Sequence, residues 1–325
     1  MKKIYILMAS AALMFAASCN TLEEVNTDSA VETELITVEL NPATKTALGT
    51  EGTTTWSNDD EVSVTVGGKN IGTLTHVEGN KFRGEVEAGK IGAAILNYPA
   101  GVTTVPDTQV AKAGTFANGA ALLEGSTTME DLRAGNGPVM KNKTALLKFT
   151  VAQAGDVTFE VGTKKYTVTG CKTGSTYYAC VEPASSVSFV ARIGGYLSKQ
   201  ASNNATFNAN DVFNLAQLPV PVKGSWGVRG SFAGGSWDTE TYLYKDINNS
   251  QVLKNVDFGS GAAFKFYNSD YGWSGYNDGN DSGYGWKWIS GGSGNDINAS
   301  GKVDIYVNDS GWAFKIVKAG TSPFE

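Results

Sequence analysis

The side chains in this sequence best suited to holding a ligand are aromatic rings. Six of the seven tryptophans lie after Pro221, with seven of the thirteen tyrosines and six of the fourteen phenylalanines. They stand among Gly, Asn, Asp and Ser, as in Asp270-Tyr-Gly-Trp-Ser-Gly-Tyr-Asn-Asp-Gly279 and Ser282-Gly-Tyr-Gly-Trp-Lys-Trp288. Such surroundings give an indole little to pack against and leave its face open. Sugars match that face, since their axial C–H groups stack on it while nearby amides and charged groups hydrogen-bond the hydroxyls. Rings also serve strands as packing, so each must be weighed by its place in the strand pattern. The candidate stacking residues are Trp237, Trp273, Tyr276, Trp286 and Trp288, with Lys265 and Asn277 as hydrogen-bonding partners. Trp286 and Trp288 are two residues apart and share one strand face, and Ile289, pointing the other way, marks that face as the open one. Trp226 begins a strand and Trp312 belongs to a hairpin register, so both are assigned to packing.

Catalysis has little to work with. His76 is the single histidine, so any Ser-His-Asp or Cys-His arrangement would have to use it. Its alternating surroundings, Ile71-Gly-Thr-Leu-Thr-His-Val77, read as a strand with His76 on the surface. Glycoside hydrolysis needs two carboxylates about 5–9 Å apart across a groove. Asp238 with Glu240, or Asp278 with Asp281, could supply them, but domains of this size leave little room for the groove. The chain is expected not to be an enzyme. Asp278-Gly-Asn-Asp-Ser-Gly283 begins like a calcium loop, yet its twelfth position is Ile289 rather than Glu, and no helix pattern flanks it. It reads as a solvated Gly-rich loop. One histidine and scattered cysteines leave zinc without ligands, so no metal and no cofactor are expected. The formal charge of −6, without a Lys/Arg cluster to track phosphates, argues against nucleic acid as a partner.

The elements that must carry the rings are strands. Alternation recurs through residues 34–40, 61–66, 145–151, 156–161 and 186–190, while helical periodicity is nearly absent. The last pair is the cleanest: Lys302 to Val307, a turn at Asn308-Asp-Ser-Gly311, then Trp312 to Val317. Pro219 and Pro221 interrupt pairing and favour an extended linker. The division expected is therefore 1–18 export signal, 19–33 polar tether, 34–218 first β-sandwich, 219–223 linker, and 224–325 second β-sandwich. Cys171 and Cys180 flank an apparent hairpin turning at Thr173-Gly174. A tight turn there sets the two sulfurs about 13 Å apart along the strands, beyond disulfide reach, whereas a wider loop would let them bond.

Met1 to Cys19 carries Lys2-Lys3, then an apolar run from Ile4 to Ala17 that is shorter than the ~20 residues of a spanning helix. Its end, Ala16-Ala-Ser-Cys19, resembles a bacterial lipobox. That resemblance implies that Cys19 is lipidated and anchors the chain to a membrane. Asn20 and Glu23-Glu24 are similar to signals for the outer membrane, with exposure at the cell surface.

Within 34–218, Asn41-Pro-Ala-Thr-Lys-Thr-Ala-Leu-Gly49 is followed by Trp56-Ser-Asn-Asp-Asp-Glu-Val62, then by Ala93-Ala-Ile-Leu-Asn-Tyr-Pro-Ala-Gly101 and Gly137-Pro-Val-Met140. Together these resemble the fimbrillin-like lipoprotein domains of Bacteroidetes-type bacteria. The resemblance implies a transthyretin-like sandwich and fimbrial or outer-membrane protein partners, with Trp56 serving packing and turn chemistry. After the linker, Trp226-Gly-Val-Arg-Gly-Ser-Phe-Ala-Gly-Gly-Ser-Trp237, Ala263-Phe-Lys-Phe266, Gly292-Ser-Gly-Asn-Asp-Ile297 and Gly301-Lys-Val-Asp-Ile305 resemble the starch-binding modules of outer-membrane starch-utilisation lipoproteins. That resemblance implies an immunoglobulin-like sandwich and an oligo- or polysaccharide ligand. Two functions follow: a surface lipoprotein that binds a starch-like α-glucan, with the first domain as spacer, or a fimbrial anchor or adhesin.

Overall fold

The computed structural model of the chain describes residues 31–42, 56–114, 120–281, 285–291, 294–308 and 310–323. Cys19, nearly all of the tether and the Thr44-Lys-Thr46 segment lie outside them. Among the described residues the fold is all-β, as expected. The helical segments are α1 (Met129–Arg133) and a short 3-10 turn at Ile247–Asn249.

Residues 34–218, read from sequence as one sandwich, hold two cores. The first lies inside a closed barrel. Its strands are β1 (Thr33–Pro42), β2 (Glu61–Val66), β3 (Lys69–Glu78), β4 (Lys81–Glu87) and β5 (Ala93–Tyr98). After β6 (Thr108–Val110), which joins a different sheet, β7 (Leu123–Thr128) and β8 (Asn136–Asn142) complete the ring in the order β1-β4-β3-β2-β5-β7-β8. Alternation turns Val62, Val64, Phe82, Val86 and Leu96 inward. Trp56 closes this core: its indole N–H donates to the Leu40 carbonyl at 3.0 Å, and its ring meets Phe82 edge-on at 4.9 Å. Ser57 and Asp60 form the adjoining turn, with the Ser57 amide donating to Asp60 Oδ2 at 2.7 Å. His76, expected on the surface, is buried against Phe82, with Nε2 3.0 Å from the Gly79 carbonyl. The strand face that carries it is the barrel interior.

The second core lies between two sheets. Its strands are β9 (Ala145–Val151), β10 (Gly155–Val161), β11 (Lys164–Cys171), β12 (Tyr177–Val181), β13 (Ala184–Ile193), β14 (Tyr196–Phe207) and β15 (Val212–Leu218). One sheet runs β14-β13-β10-β11-β6 and the other β12-β9-β15. Phe149 and Phe159 meet between them with ring centroids 5.0 Å apart. The apparent Lys165–Cys180 hairpin is therefore a crossover: β11 pairs with β10 and β6, whereas β12 pairs with β9. Cys171 and Cys180 are buried thiols in different sheets, with no disulfide between them.

The third core belongs to the residues after the linker. Its strands are β16 (Lys223–Gly230), β17 (Thr241–Lys245), β18 (Gln251–Asp257), β19 (Ala262–Asn268), β20 (Gly272–Asp281), β21 (Lys287–Gly291), β22 (Ile297–Ala299), β23 (Lys302–Val307) and β24 (Ala313–Lys318). They form one sheet in the order β16-β17-β18-β23-β24-β21-β20-β19-β22, and β16 also pairs with β19. That pairing bends the sheet back on itself, so a closed ring encloses the core where two separate sandwich sheets were expected. Trp226, Val228, Phe264, Phe266, Ile305, Val307 and Phe314 fill it. In the β23–β24 hairpin Val307 lies opposite Phe314 and Ile305 opposite Ile316, two residues along from the pairing that a turn confined to 308–311 would give, so the inward faces agree but Trp312 falls in the turn. Trp312 stands just before β24, partly buried against the core.

The second and third cores are tied together by charge. Arg192 on β13 donates from Nε to Glu160 at 3.0 Å and from Nη1 to Asp246, beyond β17, at 2.7 Å. Tyr196 lies on Tyr244 with centroids 4.4 Å apart.

Candidate glycan-binding site

The site is built on the outer face of β17, β16, β19 and β20. Gly227 lies opposite Tyr242 on one side and Tyr267 on the other, and Tyr267 lies opposite Trp273. Directly opposed residues point to the same face, so Tyr242, Gly227, Tyr267 and Trp273 form one row across four strands. Inward residues alternate with them, including Val228 and Phe266, both fully buried. Gly227 makes room in this row for the Glu240 side chain: a Cβ there would come within 2.3 Å of Glu240 Cγ, and the carboxylate would have to move aside. The Glu240 side chain thus lies across the glycine, between the two tyrosines.

Trp237 reaches the row from the loop between β16 and β17. That loop is held by Phe232, which is buried under Gly235, and by the Gly230 amide donating to the Ser236 carbonyl at 3.0 Å. The Trp237 and Trp273 rings have centroids 6.1 Å apart, are tilted by 39°, and are each 37% exposed. Arg229, two residues along from Gly227, lays its guanidinium over the Tyr267 ring at 3.7 Å, with Trp273 at 5.1 Å. Stacking of this kind holds a cation in place while leaving its outer N–H groups to donate. Lys265 lies opposite Arg229 and pairs with Asp296 Oδ1 at 3.4 Å. Burial pushes the Glu240 carboxyl above its ordinary value, against the pull of the Arg229 charge and a hydrogen bond from Tyr242. Lys223 Nζ lies 4.0 Å over the Tyr242 ring, so the face carries three cations, Lys223, Arg229 and Lys265, and two carboxylates, Glu240 and Asp296, beside its rings.

Of the seven residues expected at the site, the structure gathers three on this face: Trp237, Trp273 and Lys265. Tyr276 is turned inward, because it lies three residues from Trp273 and strand alternation puts the two on opposite faces. It is half-buried, edge-on to Phe314 at 5.9 Å, with Lys287 Nζ 4.5 Å from its ring. Trp288 is 42% exposed and next to the buried Ile289, but it lies on β21, beyond β20 from the Trp237–Trp273 pair. Trp286 is half-buried just before β21. Asn277 belongs to β20, and its side chain, like those of 278–283, lies outside the described residues; β20 runs on to Asp281, so the first part of the stretch read from sequence as a Gly-rich loop is strand. Trp226, assigned to packing, is 2% exposed and meets Phe266 and Trp312 edge-on.

Sequence reasoning missed Arg229, Tyr267 and Tyr242, and weighed Glu240 only as a carboxylate for hydrolysis. Lys265 and Tyr267 are two apart, so their shared face was legible. Arg229 was not, since its place beside them depends on β16 pairing with β19.

No family model matches the chain, and no curated protein matches it. Among solved structures, it is similar to SusF from Bacteroides thetaiotaomicron at 14% identity and a TM-score of 0.24, covering 54% of this chain and 51% of that one. It is also similar to a fimbrial protein from Bacteroides ovatus at 10% identity and a TM-score of 0.32, covering 69% of this chain and 57% of that one. The chain thus spans little more than half the length of either. Similarities at these scores assign this chain neither a fold nor a function.

Proposed function

We propose that the chain is a non-catalytic glycan-binding protein whose sugar lies on Trp237 and Trp273. The observation that carries this reading is the pair itself: two adjacent, part-exposed indoles, one on a strand and one on the loop beside it, flanked by charged groups of both signs. Donors and acceptors side by side suit the hydroxyls of a neutral sugar, which both give and take hydrogen bonds. The 39° tilt favours a ligand that turns from one unit to the next, as an α-linked glucan of the starch type does, over a flat ribbon. In this reading Cys19 carries lipid, holds the chain at the outer membrane, and the barrel and second core space the rings from the surface.

A second reading, a fimbrial anchor or adhesin, draws on the same face. Trp, Tyr and Arg are the types most enriched at protein–protein hot spots, and here they stack together. Calorimetry of the full chain with soluble starch, backed by a glycan array, separates the two. Saturable binding that Trp273→Ala removes supports the glycan reading; a folded protein that binds no glycan overturns it in favour of a protein partner.

A further inference from the structure

A cleft of about 450 Å³ opens beside the aromatic row, and its walls are as constructed as the row itself. Tyr276, the ring turned inward from β20, forms one wall, with Lys287 over it. Phe314, Lys315 and Ile316 also line the cleft, and the adjoining wall is the segment 294–298. It is pressed onto β20 where Gly294 meets Gly275: a Cβ on Gly275 would lie 2.3 Å from the Asn295 carbonyl oxygen. Tyr276 and Asn295 then exchange backbone hydrogen bonds of 3.1 and 3.0 Å. Asn295, Asp296 and Asn298 are exposed at this wall. They follow from a close approach that glycine alone permits.

Two features make the cleft more than a gap. Among the described residues β22 pairs with β19 alone, and Ile297 and Asn298 line the cleft from it. Peptide groups on an unpaired edge need a partner, whether water or ligand. The cleft is also linked to the aromatic row by an ion pair. Lys265, two residues from Tyr267 and so about 7 Å along β19, is bonded to Asp296, which lines the cleft. A ligand leaving the rings past Lys265 meets Asp296, a residue of the cleft wall.

We propose that this cleft is a second sugar subsite, so that the ligand is a chain long enough to reach from Trp273 into it. The proposal rests on the glycan reading of the aromatic row. The lining has the chemistry for one or two hexose units: amide donors and acceptors from Asn295 and Asn298, a carboxylate from Asp296 and an ammonium from Lys287. Its volume lies within the range of small-ligand sites. Trp237 and Trp273 hold the nearer part of the chain, and the cleft reads its length.

The test compares maltose with maltoheptaose on the full chain by calorimetry. The wild type binds maltoheptaose more tightly. In the double variant Asn295→Ala, Asn298→Ala, which keeps the backbone bonds of Asn295, maltoheptaose affinity falls about tenfold and maltose affinity stays within about twofold. An unchanged melting temperature shows that the variant is folded. Equal maltoheptaose affinity in variant and wild type, with maltose still bound and still lost in Trp273→Ala, overturns the subsite and leaves the aromatic row standing. A wild type that binds neither sugar, or maltose binding that survives Trp273→Ala, overturns the reading of the row and the subsite with it.

Discussion

Replacing Trp273 by Ala is the sharpest perturbation, because the ring has separable roles in binding and in stability. A stacking aromatic at the centre of a site contributes about 2 kcal/mol or more when truncated, which weakens binding about thirtyfold. Its share in stability can be worked from its burial. At 37% exposure, somewhat over three-fifths of the ring is covered, by Trp237, Tyr267 and Arg229 on the outer face. A tryptophan buries up to about 250 Å², so the covered part is about 150 Å². At about 25 cal/mol/Å² this is an upper bound near 4 kcal/mol, falling to about 2–3 kcal/mol once the unfolded chain's own burial is allowed for. The variant should therefore stay folded while its melting temperature drops by several degrees. Phe266→Ala, which empties a fully buried position one strand away, should cost more, about 3–5 kcal/mol, because a cavity replaces a surface notch. Calorimetry with soluble starch reads the first effect and a thermal melt the second. Starch affinity unchanged in a folded Trp273→Ala variant would refute the stacking role. Collapse of the cooperative melt would show that Trp273 belongs to the core instead.

Trp237→Ala should weaken the same binding with a smaller loss of stability, since the ring stands on a loop; a loss of stability equal to that of Trp273→Ala would contradict this placement. Arg192→Ala should destabilise the folded chain by about 3–5 kcal/mol in a denaturant melt, because it strands the buried Asp246 carboxylate without its cation; a change under 1 kcal/mol, a threshold set by about the value of an exposed pair, would mean the joint is wetter than it looks. Burial pushes the Cys171 thiol up to about 12, so at pH 8 only about one part in ten thousand is thiolate. Iodoacetamide should leave Cys171 unlabelled in the native protein and label it in denaturant, and rapid native labelling would contradict the burial. Cys19→Ala should move the protein from the membrane fraction to the soluble one, and continued detergent-sensitive sedimentation would argue against the lipid anchor.

Strand positions were legible to a high degree, because short alternating runs leave few other conformations open. Residues 61–66, 145–151 and 302–307 are strands with the bounds their alternation gives. What the strands pair with was less legible. Thr173-Gly174 has the chemistry of a tight turn, and a turn looks alike whether the chain stays in its sheet or crosses to the facing one; here it crosses, which separates Cys171 from Cys180. The same limit applies to the division of 34–218, where each strand is visible but closure of the barrel rests on β1 meeting β8 far along the chain. At the candidate site, composition pointed to the third of the chain that carries the Trp237–Trp273 pair, and counting parity along β20 would have turned Tyr276 away from Trp273. No local count could have put Arg229 on Tyr267.

The closing of β16 onto β19 also bears on how the third core is made. Its first strand needs a partner that emerges much later, and β18 waits longer still for β23. Pairings so distant in sequence slow folding, because the entropy of drawing the chain together is spent before any contact rewards it. Until the ring shuts, β16 and β19 present bare peptide edges beside a run of tryptophans, the combination most prone to joining a neighbouring molecule. Once shut, the ring offers only the three residues of β22 as an edge among its described strands, too short a template to extend. The hazard of self-association is thereby confined to the interval of folding, and the finished domain can stand at high density without cross-pairing.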